Sequence, residues 1–138
     1  VNKYPDNAEI WAHRGRCYFE NEAYTDALKD YNKALSIQPD SAATLYNRGR
    51  TYEYFDRLDE AMADYKKSIE LAPNIAYSYF DMGMIYEYSG DFAKAKSMYK
   101  TALEVNTDEK SLKDIKQALV RLNKKNHFIV WKEILNDE

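Results

Sequence analysis

Apolar, aromatic and small residues recur along this chain at helical spacings, in two stretches separated by a short polar break. In residues 8–41 the break is Asn21-Glu22. The residues on either side of it are Trp11, Gly15 and Tyr18 in the first stretch and Ala27, Tyr31 and Ala34 in the second. Steps of three and four residues place each set on one face of an α-helix. The pattern therefore predicts a helical hairpin.

The hairpin pattern occurs three times at an interval of 34 residues. Five sets of residues keep this interval in fixed register: Pro5, Pro39 and Pro73; Gly15, Gly49 and Gly83; Tyr18, Tyr52 and Tyr86; Ala27, Ala61 and Ala95; Tyr31, Tyr65 and Tyr99. A sustained period of this length indicates one supersecondary unit stacked repeatedly. We assign the units to residues 8–41, 42–75 and 76–109, and expect an extended binding surface in place of a sealed pocket.

Glycine and proline define the inside and the end of each hairpin. Gly15 and its two copies fall inside a helix, where glycine costs roughly 1 kcal/mol relative to alanine. We infer that the missing Cβ lets the second helix approach closely, and that aromatic rings fill the space between one hairpin and the next. Pro39 and Pro73 are expected to end the second helix of their hairpins.

These residues, with Trp11 at the fourth place of the first unit, resemble the tetratricopeptide repeat over about residues 1–109. The resemblance implies an all-α fold, a right-handed α-solenoid of antiparallel helical hairpins. The sequence departs from the family pattern at the seventh place, where Arg14, Arg48 and Met82 replace the usual leucine. The third unit also ends in Thr107 where proline is usual.

The two ends of the chain depart from the repeat. Residues 1–7 match the end of a preceding repeat, so we expect a segment of a longer protein. After residue 109, apolar residues at helical spacing predict a capping helix over about 109–123, and Asn123-Lys124-Lys125-Asn126 is predicted to end it. The apolar segment that follows, within residues 110–138, is either a last short helix packed on the array or a segment that docks on another chain or domain.

Composition and charge narrow the class of protein. The chain has 138 residues, 45% of them hydrophobic, and no apolar run long enough for a membrane span. The single cysteine excludes an internal disulfide framework and agrees with a cytoplasmic location. Residues 110–132 hold seven Lys and Arg against Asp114 alone, on an otherwise acidic chain. A solubilising cap is the preferred interpretation of this basic segment; RNA and membrane partners are not expected, and an acidic partner stays open.

Nothing in the sequence indicates catalysis. His13 and His127 are far apart and lack metal-ligand neighbours at suitable spacing, so neither a metal nor a cofactor is expected. Cys17 is expected to be a small buried packing residue. We therefore predict that the chain is not an enzyme and has no small-molecule substrate.

The resemblance also implies a concave groove lined by the first helices of the hairpins. The groove residues carried over by register are Arg16, Phe19, Tyr46, Asn47, Arg50, Tyr77, Phe80, Asp81 and Met84. Arginines one repeat apart among aromatic side chains suit a peptide that has acidic and apolar residues. The alternative is that Arg16 and Arg50 pair with Glu20, Glu53 or Glu87 on a solvated surface.

One branch of the family can be tested on its residues. Tetratricopeptide domains that hold Hsp70 or Hsp90 C-terminal tails use lysines, asparagines and an arginine at five places. Here those places hold Ala12, Arg16, Asn47, Tyr77 and Asp81. Only Asn47 fits, and Asp81 would repel a carboxylate, so binding of these tails is not expected.

The sequence thus predicts a noncatalytic module that binds a peptide or a protein segment in the groove. Two alternatives stay open. The C-terminal segment could mediate self-association, or the array could be the targeting module of a larger enzyme.

Overall fold

The computed structural model describes the backbone of residues 6–136 and the side chains of residues 6–126. The described residues form seven α-helices and divide into two compact units. The first unit ends at Pro73 and contains α1 (Ala8–Glu20), α2 (Tyr24–Ile37), α3 (Ala42–Tyr54) and α4 (Leu58–Leu71). The second begins at Asn74 and contains α5 (Ala76–Tyr88), α6 (Phe92–Val105) and α7 (Glu109–Asn136). None of the described helices is long and apolar enough to span a bilayer.

Polar caps and a repeated turn set the limits of the helices. The Asn7 side chain accepts hydrogen bonds from the backbone of α1, and the Ser41 hydroxyl caps α3 in the same way. Within each hairpin, the turn contains one residue with positive φ, namely Glu22 (60°), Asp56 (55°) or Gly90 (85°). These three residues keep the interval of 34, so the same left-handed turn connects the two helices of every hairpin.

Gly15, Gly49 and Gly83 each lie against the ring of a tyrosine in the second helix of the same hairpin. A Cβ at Gly49 would lie 2.7 Å from Cε1 of Tyr65, and one at Gly83 would lie 2.6 Å from the same atom of Tyr99. The predicted close approach of the two helices is therefore confirmed. Each ring occupies the space that its own glycine leaves open, and the Tyr99 ring also packs with Ala118 and Leu122 of α7.

Two ion pairs account for arginine at the seventh place. Arg14 binds Asp30 through Nε (2.7 Å) and Nη2 (2.8 Å), and Arg48 binds Asp64 at the same two distances. Arg48 also donates to Asn32 on α2 (3.0 Å), which links it to the preceding hairpin. The hydrogen bonds to the aspartates raise the pKa of both arginines, although burial opposes the shift. These arginines therefore join the two helices of their hairpins.

The last helix packs on the third hairpin. Ile115, Ala118 and Leu122 of α7 are fully buried, and the last two form a cluster with Ala95 and Tyr99 of α6. This confirms a helix after residue 109. The predicted break at residues 123–126 is wrong, since α7 is continuous from Glu109 to Asn136. Lysine and asparagine are tolerated inside a helix, and no glycine or proline is present there to end it.

Cys17 is exposed, so the prediction of a buried packing residue is also wrong. Its counterpart Thr51 on α3 is fully buried, with α2 of the preceding hairpin packed against that helix. Among the described residues, no helix precedes α1 to cover Cys17. The interpretation of Val1 to Pro5 as the end of an earlier repeat, and of the side chains of residues 127–138 as a docking segment, lies outside the described residues.

Candidate functional site

An open cavity of about 310 Å³ lies in the first unit, where α1, α2 and α3 meet. Its lining combines two arginines, two glutamates, an asparagine and four aromatic rings: Arg16, Arg50, Glu20, Glu22, Asn47, Phe19, Tyr24, Tyr31 and Tyr54. Arg16, Phe19, Asn47 and Arg50 are predicted groove residues, and the structure brings these four together. The mixture of cations and rings suits a ligand with both apolar and anionic groups.

Aromatic contacts hold the Arg50 guanidinium over the cavity. Its central carbon lies 4.7 Å from the centroid of Phe19 and 5.9 Å from that of Tyr46. Tyr46 is a predicted groove residue that contacts Arg50 without lining the cavity. Within the described part of the chain, Arg50 forms no ion pair or hydrogen bond, and its side chain is exposed. A guanidinium stacked in this way retains its donors for a planar anion.

Arg16 forms two weak contacts with side chains of its own helix. Its Nε lies 3.8 Å from Glu20, four residues later on the same helix, and its Nη2 lies 3.4 Å from Nδ1 of His13. Both members of the Arg16–Glu20 pair are more than half exposed. Such pairs contribute about 0.3–0.5 kcal/mol. The surface pairing considered from the sequence therefore exists for Arg16 and Glu20. Arg50 forms no ion pair among the described residues, but its charge acts on Glu53: burial raises the pKa of Glu53, while the hydrogen bond from Tyr65 and the charge of Arg50 oppose that shift.

Three aromatic rings form one wall of the cavity. Tyr24 and Tyr54 stack with centroids 3.9 Å apart, and Phe19 meets both rings edge-on at 5.3 and 5.4 Å. The neighbouring hydroxyl of Tyr54 raises the pKa of Tyr24 to about 12, with burial adding to the shift. This cluster supplies a rigid apolar surface beside the two arginines.

Tyr31 completes the cavity from α2. Only 1% of the residue is exposed, and burial raises the pKa of its hydroxyl to about 12, while the nearby charges of Arg50 and Arg16 act in the opposite direction. No described residue forms a hydrogen bond with this hydroxyl. Since no enclosed polar side-chain atom lacks a partner in the described chain, the hydroxyl must remain accessible from the cavity.

The predicted residues of the third hairpin belong to the second unit and do not line this cavity. Tyr77 and Met84 are exposed. Phe80 packs against the buried cluster of that unit, with its centroid 5.5 Å from that of Tyr99, and Asp81 is half-buried.

The second unit contains a buried carboxylate, Glu87, at the twelfth place of its repeat. Its oxygens accept hydrogen bonds from Arg121 (2.9 and 2.8 Å), Lys125 (2.8 Å) and the Tyr99 hydroxyl (2.7 Å). The hydrogen bonds from Arg121, together with those from Lys125 and Tyr99, lower the pKa of Glu87 to about 2 against the effect of burial. Two cations of the basic segment thus stabilise an acidic residue of the array.

Sequence reasoning missed five residues of the cavity: Glu20, Glu22, Tyr24, Tyr31 and Tyr54. Tyr31 was assigned only to packing, because it keeps the 34-residue interval. Among the described residues, no group of three potential ligands could hold a metal ion.

Comparisons with known proteins identify the repeat. Two models described as tetratricopeptide repeat match residues 6–74 and 76–109. A comparison with curated proteins finds no match.

Three solved structures illustrate the likeness in fold. The Sgt2 TPR domain from Aspergillus fumigatus is 21% identical with a TM-score of 0.75, over 87% of this chain and 79% of that one. The TPR2B domain of yeast Sti1, in complex with pHsp70, is 23% identical with a TM-score of 0.78, over 86% and 97%. The first TPR of Spaghetti (RPAP3), bound to the HSP90 peptide SRMEEVD, is 22% identical with a TM-score of 0.70, over 84% and 95%. At these identities the likeness establishes the fold, and it confirms the predicted all-α solenoid.

Proposed function

Because this chain belongs to the tetratricopeptide repeat family, we propose that it is a noncatalytic module whose first-unit cavity binds a protein segment with acidic and apolar side chains. Repeats of this family generally mediate protein–protein interactions. The observation that carries the finer proposal is the Arg50 guanidinium, which lies over Phe19 and forms no direct ion pair or hydrogen bond among the described residues. An acidic side chain of the partner would supply a carboxylate for this guanidinium.

The charges that line the cavity allow a ligand carboxylate to pair with the arginines. Glu20 and Glu22 offset the two arginines, so the cavity has no excess positive charge to attract polyanions in general. The Arg16–Glu20 contact at 3.8 Å is exposed and contributes less than about 1 kcal/mol, so a ligand carboxylate can displace it. Specificity would then come from the combination of one or two carboxylates with an apolar residue against the Phe19, Tyr24 and Tyr54 rings.

Peptides ending in the acidic motif of chaperones are not the proposed ligands. The HSP90 peptide bound by RPAP3 is acidic, which agrees with an acidic ligand in general. In this chain, however, Ala12, Tyr77 and Asp81 stand at places where tail-binding domains use other residues. We therefore expect recognition of an internal acidic side chain, for which an amidated C-terminus makes no difference.

Two peptide libraries with acetylated and amidated ends test the proposal. One has a central Glu flanked by randomised apolar positions, and the other has a central Gln. We expect the Glu library to be enriched on the wild-type protein, and the double variant Arg16→Ala, Arg50→Ala to bind the selected peptides at least tenfold more weakly.

Arg57→Ala serves as the matched control. Arg57 is an exposed arginine that pairs with Glu60 and does not line the cavity. Its loss should leave the affinity unchanged. Equal affinity of the double variant and the wild type would overturn the proposal.

A further inference from the structure

Two of the three repeats contain an internal hydrogen bond between a tyrosine and a glutamate. The Tyr65 hydroxyl donates to Oε2 of Glu53, and the Tyr99 hydroxyl donates to Oε2 of Glu87 at 2.7 Å. In both cases the glutamate precedes the tyrosine by 12 residues. In the second and third repeats, the same place thus holds a glutamate that accepts a hydrogen bond from this tyrosine.

Glu87 shows how that position is completed in the second unit. Each of its oxygens accepts one hydrogen bond from Arg121, and the remaining capacity is used by Lys125 and Tyr99. A tyrosine hydroxyl together with cationic donors is thus a sufficient environment for a carboxylate that is 93% removed from solvent.

The first repeat has the tyrosine but lacks the carboxylate. Phe19 replaces glutamate 12 residues before Tyr31. Tyr31 is as deeply buried as its two counterparts, yet no described residue accepts a hydrogen bond from its hydroxyl. The hydroxyl faces a cavity that Arg16 and Arg50 also line, and both cations are close enough to act on it electrostatically.

We propose that an Asp or Glu side chain of the bound segment enters this cavity and accepts a hydrogen bond from the Tyr31 hydroxyl, while Arg50 and Arg16 supply its remaining donors. The ligand carboxylate takes the role that Glu53 and Glu87 have in the other repeats. The inference rests on the proposed function and assigns Tyr31 as a further specificity-determining residue.

The donors in the cavity discriminate between a carboxylate and a neutral side chain. A carboxylate has two acceptor oxygens and a negative charge, so it can bind the hydroxyl and both guanidinium groups at once. The amide of glutamine has one acceptor oxygen, and its NH₂ group would face an arginine. An apolar ligand side chain would cover the Tyr31 hydroxyl without accepting its hydrogen bond, which would lower the affinity further.

The test compares Tyr31→Phe with Tyr65→Phe. The probe is the Glu-centred peptide selected on the wild-type protein, together with its Gln counterpart. Tyr31→Phe removes a hydroxyl that binds no described residue of the free protein, so the variant should keep its thermal stability but bind the Glu peptide at least tenfold more weakly. Tyr65→Phe removes a hydroxyl that already binds Glu53, so it should lower the melting temperature and leave the affinity unchanged.

A spectroscopic measurement tests the same contact in the folded wild-type protein. With ¹³C-labelled tyrosine, the Cζ resonance of Tyr31 should shift on addition of the Glu peptide towards the resonances of Tyr65 and Tyr99. The Gln peptide should cause a smaller shift or none.

The outcomes separate this inference from the proposed function. If the Glu peptide depends on Arg16 and Arg50 but Tyr31→Phe binds it as tightly as the wild type does, the inference is wrong and the binding site stands. If the Glu and Gln peptides bind equally and the arginine variants have no effect, the proposed function itself is wrong.

Discussion

Arg48 and Asp64 form a two-bond ion pair at places where the third repeat has two methionines, Met82 and Met98. Replacing the ion pair of the second repeat by the two methionines of the third therefore gives a double-mutant cycle with three variants. These are Arg48→Met, Asp64→Met and the double variant. The double variant should be much more stable than the sum of the two single changes predicts, because it leaves no charge behind.

The structure indicates the size of each effect. Arg48→Met leaves the Asp64 carboxylate, of which only 8% is exposed, without its two donors, and should cost about 3 kcal/mol. Asp64→Met leaves Arg48, which is 22% exposed and can turn towards water, and should cost about 2 kcal/mol. The double variant should lie within about 1 kcal/mol of the wild type, since apolar residues often replace a buried ion pair without loss. The resulting coupling is about 4 kcal/mol.

Urea unfolding followed by circular dichroism measures this cycle, with the slope of the transition compared among variants. Arg57→Met and Glu60→Met form the matched control, because that exposed pair at the start of α4 should show a much smaller coupling than the buried pair. A double variant as unstable as the sum of its parts would refute the reasoning. It would mean that the pair has no direct coupling in the folded state.

Two further predictions concern packing and pH. Gly49→Ala should lower stability by about 2 kcal/mol in urea unfolding despite the higher helix propensity of alanine, since the added Cβ meets the buried Tyr65 ring at 2.7 Å; a gain would contradict this. Glu87 has a pKa of about 2 in the folded protein against 4.5 as its ordinary value, so its stabilising effect is complete above pH 5 and is lost as the pH falls towards 2. The free energy of unfolding should therefore fall by up to about 3 kcal/mol more in the wild type than in Glu87→Gln, and parallel pH profiles would exclude this role.

The repeat architecture could be predicted because packing constrains the places that recur. Gly49 must be small since the Tyr65 ring occupies its Cβ position, and the same requirement holds at Gly15 and Gly83. A pattern that follows from contacts within each hairpin is visible in one sequence without any knowledge of the site.

The cavity could be predicted only in part, because its other residues do not recur. Tyr24 corresponds to Leu58 in the second repeat and to Phe92 in the third, so the interval of 34 gives no signal for its stacking on Tyr54. Cys17 illustrates the converse error. Its register matches the buried Thr51, but burial at that place depends on a neighbouring helix that the described residues do not provide for α1.

The role of Tyr31 can be inferred only from the sequence pattern and the structure together. Its recurrence indicates packing, and its ring does pack on Gly15. Its different role becomes visible only when the hydroxyl partners of the three tyrosines are compared. Phe19, in the place of a glutamate, is the sequence difference that leaves this hydroxyl without an acceptor in the part of the chain that the structure describes.

The most direct test of a carboxylate site in the first unit is the coupling between the Tyr31 hydroxyl and the ligand carboxylate. Four affinities define it, measured by isothermal titration of the Glu and Gln peptides against the wild type and Tyr31→Phe. We predict that the wild type favours Glu over Gln at least tenfold more strongly than the variant does. The same preference in both proteins would contradict the account, because the carboxylate would then be recognised without Tyr31.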